Sequence, residues 1–314
     1  MWALYLPLLI PALALVAARP LADRLEPRLA TWLLTSAIVA LAACSTAALA
    51  LLAAFAAARM PVLAALGGYS QSTMKRFDPI PASTGAVAGL ALAGAALAVM
   101  LIFRKRARAL AVSYRRAAGL GGHDSIVVVP GPDIDAYALP GRPGRIVVSG
   151  CLLDRLDQGH QAALIAHERA HLTGRHHLFA SVAHLAAAAH PLLLPAAQAV
   201  DYTLERWADE RAAAVTGNRR LVAETIGQVA LLSPPRRAWT PGAILAAAGP
   251  LGRHVSVAWA GPVPRRVAAL LTAPPRRRTL LVAACAAIVL LAGVSALEAA
   301  RDLHTLVELA QAGS

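Results

Sequence analysis

"LFASVAHLAAAAHPLLLPAAQA", residues 178–199, is apolar and long enough to cross a membrane, and whether it crosses decides the fold. "AHERAHL" (166–172) precedes it and "ERWAD" (205–209) follows it. A crossing would put these two polar motifs on opposite faces of the bilayer. Pro191 and Pro195 interrupt the run, and His184 and His190 would be costly in lipid. The run therefore reads as a bent helix, packed inside a domain or dipped into the membrane surface. Both motifs then stay on one side.

The rest of the chain is greasy and basic. Of its 314 residues 58% are hydrophobic, the mean hydropathy is +0.57 and the net charge is +13. Such an excess of Ala, Leu and Val points to membrane helices. The arginines flank apolar runs and form no aromatic-interleaved patch, which argues against nucleic acid as a partner. Cys44 and Cys285 lie in apolar spans, and with Cys151 they form neither a disulfide framework nor a cysteine metal site.

Four spans are expected, at about 2–18, 31–58, 84–103 and 279–299. Arg19 follows the first run instead of preceding it, which suits an uncleaved span. Residues 104–278 hold enough polar residues for one inserted α+β domain. It opens with a basic helical stretch through Arg116. Then "SIVVVPGPDIDAYALPGRPGRIVVSG" (125–150) alternates β-branched clusters with Pro-Gly breakers and reads as two or three short strands. "QGHQAALIAHERAHL" (158–172) and "DYTLERWADERAAAVTG" (201–217) read as helices, the second ending at a Gly217 cap. The fold class is a mostly α membrane protein, three spans before an inserted α+β domain, with a fourth span and a short tail at 279–314.

On a helix, residues four apart lie one above the other, so His167 and His171 present two imidazoles to one point. That spacing suits a tetrahedral zinc ion. Glu168 lies beside the first histidine and can reach a water there without coordinating, which is the metalloprotease arrangement. Glu205 and Asp209 share a face of the next helix. Glu205 can supply the third ligand, and Asp209 can accept a hydrogen bond from a ligand histidine. The competing reading is an ordinary charged helix, with Glu205, Arg206, Asp209 and Glu210 in salt bridges. His176, His177, His184 and His190 read as surface or packing histidines.

"AHERAHL" followed by "ERWADERAA" resembles the membrane-integrated gluzincin zinc metallopeptidases. Two related families share these motifs: the antirepressor family of beta-lactam-sensing signal transducers, and the family of the CaaX prenyl proteases and HtpX. The resemblance covers about residues 104–272, including "AYALPGRPGRIVVSGCLLDRL" (136–156) and a weaker arginine motif, "RRVAALL" (265–271). Three spans before the domain and one after it are similar to the antirepressor family, whereas HtpX-like proteins place two before it. The resemblance implies a zinc metalloendopeptidase with His167, His171 and Glu205 as ligands and Glu168 as acid/base. It also offers Arg266 as a second donor to the oxyanion, or as an arginine holding the domain against lipid headgroups. The implied substrate is a cytosolic or membrane protein, with a transcriptional repressor as one class. The strand around Arg145–Ser149 is expected to take an extended substrate by edge addition.

The sensing members carry an extracellular penicillin-binding domain after the last span, and this chain stops at Ser314. "STMK" (72–75) matches an acylation motif, but a short loop without S-D-N or K-T-G cannot form that site. Other readings are an HtpX-like quality-control protease, a non-catalytic signalling protein whose structural zinc is closed by His176 or His177, and a transporter. The spans carry too few ionisable residues for an ion pathway. Arg104, Lys105, Arg106, Arg108, Arg115 and Arg116 follow the third span, and Arg276, Arg277 and Arg278 precede the fourth. Positive charge at span ends stays inside, so the domain is expected in the cytoplasm with both termini outside.

Overall fold

The computed structural model describes residues 2–58, 60–62, 65, 81–120, 125–131, 135–232, 263–273 and 279–312. "STMK" and Arg276 to Arg278 lie outside the described residues. Among the described residues four helical runs are long and apolar enough to cross a membrane: Tyr5–Arg24, Pro27–Ala57, Ser83–Gly119 and Thr279–Asp302. The first is built from α1 (Trp2–Leu9), a 3-10 turn (Ile10–Leu13) and α2 (Ala14–Arg24). α3 (Pro27–Ala57) starts earlier than its apolar run, because Pro27 suits a first turn and the Glu26 side chain accepts from the Leu29 N–H. α4 (Ala82–Gly119) does not stop at Phe103. It carries the basic residues 104–116 as a continuous helical extension beyond its apolar part.

Three short strands follow: β1 (Ile126–Val129), β2 (Ala136–Leu139) and β3 (Arg145–Ser149). β3 is central, parallel to β1 and antiparallel to β2. Edge addition at Arg145–Ser149 is therefore ruled out, since both sides of β3 are already hydrogen-bonded. β1 and β2 are the edges. The strand ends at Ser149, whose hydroxyl accepts from the Leu152 N–H and caps α5 (Gly150–Leu153). Ile146 and Val148 then pack with Leu152, Leu156 and Leu164 under the sheet. The last of these lies on α6 (Gln158–Thr173), which Asp157 caps by accepting from the His160 N–H.

The apolar run at 178–199 is not one bent helix but the meeting of two. α7 (His176–Ala189) ends at His190, which stands before Pro191 in extended backbone. A 3-10 turn (Pro191–Leu193) leads into α8 (Leu194–Thr216). Pro195 is no second break, because it sits in the first turn of α8, where no amide donor is needed. α8 ends where expected, at Gly217 with φ 66°, a conformation that favours glycine. α9 (Arg219–Leu232) and α10 (Val263–Leu271) pack beside α6, and α11 (Thr279–Ala312) runs beside α3.

α7 and α8 do not sit apart from the membrane helices. Ala180, Ala183, Ala197, Val200 and Leu204 share one core with Ile10, Leu21, Leu34 and Ile38. Small side chains let these backbones approach closely, which drives helix association where lipid is as apolar as protein. Thr31 donates to the Thr203 hydroxyl at 2.9 Å, worth roughly 0.6 kcal/mol in such settings. Arg206 contributes more. Its Nη1 donates to the carbonyls of Ala22, Asp23 and Leu25, at 2.5, 3.3 and 3.5 Å, at the end of α2. Arg265 pairs with Asp23 at 2.5 Å and stands over the Tyr202 ring. The α2–α3 turn and the domain thus lie on the same side of the apolar helices.

Arg206→Met keeps the apolar stem but leaves these carbonyls without a charged donor. It should lower stability by about 1.5–3 kcal/mol, read as a reduced Tm in detergent. An unchanged Tm would make the contact incidental.

Candidate metal centre

α6 turns a narrow polar face inward, with His167, Glu168 and His171 all buried. The two imidazoles point their Nε2 atoms to within 3.1 Å of each other. Glu205 meets them from α8, its carboxylate oxygens 3.6 Å from His167 Nε2 and 3.6 Å from His171 Nε2. One donor atom from each of His167, His171 and Glu205 lies within 4.8 Å of the others, and no other group of three such donors occurs among the described residues.

Each member is held from behind. Asp209, one turn after Glu205, lies 3.0 Å from His167 Nδ1. His176, at the start of α7, places its Nδ1 2.9 Å from His171 Nδ1. Arg266 of α10 is fully buried, with Nε and Nη2 donating to the two oxygens of Asp209 at 2.8 and 2.6 Å. Its Nη1 stands 2.9 Å from Glu205 Oε2.

These positions revise three expectations. Arg266 is neither a donor facing a substrate nor an anchor for lipid headgroups, because its guanidinium is spent on two buried carboxylates. The charged-helix reading of "ERWADE" is overturned as well, since Glu205 and Asp209 face inward and Arg206 holds α2. Only Glu210 makes an ion pair of the expected surface kind, with Arg219. His176 is no spare histidine, though His184 does pair elsewhere, with Asp201 at 2.8 Å. Its place was hidden in "HLTGRHH", where the turn at Gly174 and Arg175 folds it back onto His171.

The electrostatics favour a cation. Glu168, Glu205 and Asp209 are three buried carboxyl groups, and among the described residues Arg266 is the one lysine or arginine paired with them. Glu205 Oε1 and Glu168 Oε1 have no hydrogen-bond partner, and Glu205 Oε2 has its ion pair with Arg266. An orphaned buried carboxylate is expensive unless a cation or a proton answers it. Burial pushes the Glu168 carboxyl up to about 7, with Glu205 adding and His167 and the Ala138 amide of β2 opposing. Burial lowers His167, but the adjacent carboxylates of Asp209 and Glu205 outweigh it and lift the ring to about 9. The residues fit a divalent metal: two nitrogens, one oxygen and an excess of negative charge.

Burial also raises Asp209, yet Arg266 and His167 more than offset it and hold its carboxyl down at about 2. A depressed folded pKa gives stability that is present above the ordinary carboxylate value and lost as pH falls through about 2. Arg266→Met removes the cation and strands both carboxylates. It should cost about 3–5 kcal/mol near neutral pH, and the deficit of the metal-free protein should shrink as pH falls, because burial without the arginine raises the stranded carboxyls and their protonation relieves the cost. Unfolding curves against pH for both proteins check this, and coincident curves would refute the role of Arg266.

Residues 103–238 match the model of Peptidase family M48, just under half of the chain. No curated protein and no solved structure matches. The matched segment runs from the basic extension of α4 past the end of α9, and so contains His167, Glu168, His171, Glu205 and Asp209 but not Arg266. Residues 103–238 are thus similar to Peptidase family M48, and the described residues include four helices apolar enough to span a membrane.

Proposed function

We propose that this protein is an integral membrane zinc metalloendopeptidase that cuts a cytosolic or membrane protein. The observation that carries the reading is the convergence of His167, His171 and Glu205 beside a buried, uncoordinated Glu168. Zinc held by these three would supply Lewis-acid activation of water and of the scissile carbonyl. Glu168 takes a proton from the attacking water and delivers it to the leaving amine. Its burial disfavours the ionised form and so helps the carboxyl hold that proton between the two transfers. Asp209 accepts from His167 Nδ1–H, which leaves Nε2 as the donor lone pair. Arg266 acts through Asp209 and Glu205 as a positioning residue. An extended substrate would add to β2, the edge strand that packs on α6 beside Glu168.

The structural-zinc reading is less favoured. A closed structural site takes four protein ligands. Among the described residues only three donors converge, and the nearest candidate for a fourth, His176, faces the far nitrogen of His171. The antirepressor-like span arrangement favours a signalling role with a repressor as substrate over HtpX-like quality control. Placement in the cytoplasm is favoured by the arginines. Arg24 and Arg28 flank the α2–α3 turn on the domain side, and the basic extension of α4 leads into the domain.

Glu168→Gln should keep zinc yet reduce cleavage of itself or a substrate by roughly 10²–10⁴-fold, whereas Glu205→Ala should lose zinc on metal analysis. Full activity of Glu168→Gln would sink the mechanism, and wild-type zinc content in Glu205→Ala would remove that ligand. Alkaline phosphatase fused after Ser314 should be active, and inactive near Gly150. The reverse pattern would overturn the cytoplasmic placement and the substrate class.

A further inference from the structure

His171 faces two ways. Its Nε2 looks toward His167 and Glu205, and its Nδ1 lies 2.9 Å from His176 Nδ1. For Nε2 to offer a lone pair, Nδ1 must carry the proton. That N–H then needs an acceptor, and His176 Nδ1 is the atom in place. Asp209 does the same for His167, but with a charged acceptor. We propose that His176 is a positioning residue for the metal centre, fixing the tautomer and ring orientation of His171 as a neutral acceptor. The proposal rests on the reading of His167, His171 and Glu205 as metal ligands.

The local backbone is shaped to deliver this ring. α6 ends at Gly174, and Arg175 adopts a left-handed conformation (φ 49°, ψ 41°) that is costly for a residue with a side chain. A Cβ at Gly174 would lie 2.4 Å from His176 Nε2 and 2.6 Å from its Cδ2. The turn therefore needs both an unusual backbone and a missing side chain to bring position 176 back against position 171. The ring is then clasped. It stands at 88° to the His171 ring and 4.7 Å from it, and its centroid is 4.7 Å from that of Trp207 on α8. Trp207 packs in turn on Phe179, and Phe179 on Trp32 of α3. A packing histidine would need none of this aim, and a phenylalanine would fill the space as well.

That difference supplies the test, made on the full chain in detergent. Zinc affinity is measured by competition with a chromophoric chelator, the cobalt-substituted spectrum is recorded, and the Tm of the metal-free protein is followed. His176→Phe keeps the ring and the Trp207 contact but removes the acceptor. Zinc affinity should fall roughly 10–100-fold and the cobalt bands should shift, with the metal-free Tm nearly unchanged. His176→Asn puts an amide oxygen close to the place of Nδ1 and should restore affinity to within a few-fold of wild type. Wild-type affinity in His176→Phe overturns the proposal. So does equal loss in both variants with a lowered metal-free Tm, which would assign His176 to packing. A wild-type protein that takes up no zinc removes the metal-centre reading itself, and the proposal with it.

Discussion

Arg266 carries the centre of this molecule. Its guanidinium is fully buried, bidentate on Asp209 and paired with Glu205. Two carboxylates on one helix turn would otherwise repel across a dry interior and take up protons. With the arginine in place, Asp209 stays ionised and can orient His167, while Glu205 is left with an oxygen that nothing in the fold hydrogen-bonds. A buried charge network of this kind contributes little net stability, because desolvation offsets the attraction. What it supplies is a fixed arrangement of charge, negative toward the three donors and neutralised behind them.

α8 ties that arrangement to the membrane helices. One face of it offers Glu205 and Asp209 to the centre. The opposite side sends Thr203 to Thr31 and Arg206 to the carbonyl end of α2. Neighbours in sequence, Glu205 and Arg206, thus report to different parts of the protein. A shift of α2 along its axis would pull on the backbone that carries the third donor. The shared alanine-rich core has little slack to absorb such a shift.

The match to Peptidase family M48 covers the two helices that carry the buried donors. The matched segment includes every inward-facing polar residue of α6 and α8. It stops short of α10, so the arginine that neutralises the site comes from a part of the chain the family match does not reach. The spans likewise lie mostly outside it, and their arrangement is read from apolarity and length alone.

The sequence by itself determined what local rules control. Apolar length marked the spans, and helical spacing aligned His167 with His171 and Glu205 with Asp209. Breakers marked two or three short strands, and a glycine marked the end of α8. It misjudged what depends on partners far along the chain. Strand order placed Arg145–Ser149 in the middle of its sheet, because register is set by neighbours and not by the strand's own pattern. Pro191 broke a helix while Pro195 began one, a distinction that only the surrounding turn makes. Arg266 and His176 were decided by tertiary structure alone. A guanidinium or an imidazole bonds equally well to water, lipid phosphate or a buried partner, and only packing puts that partner within 3 Å.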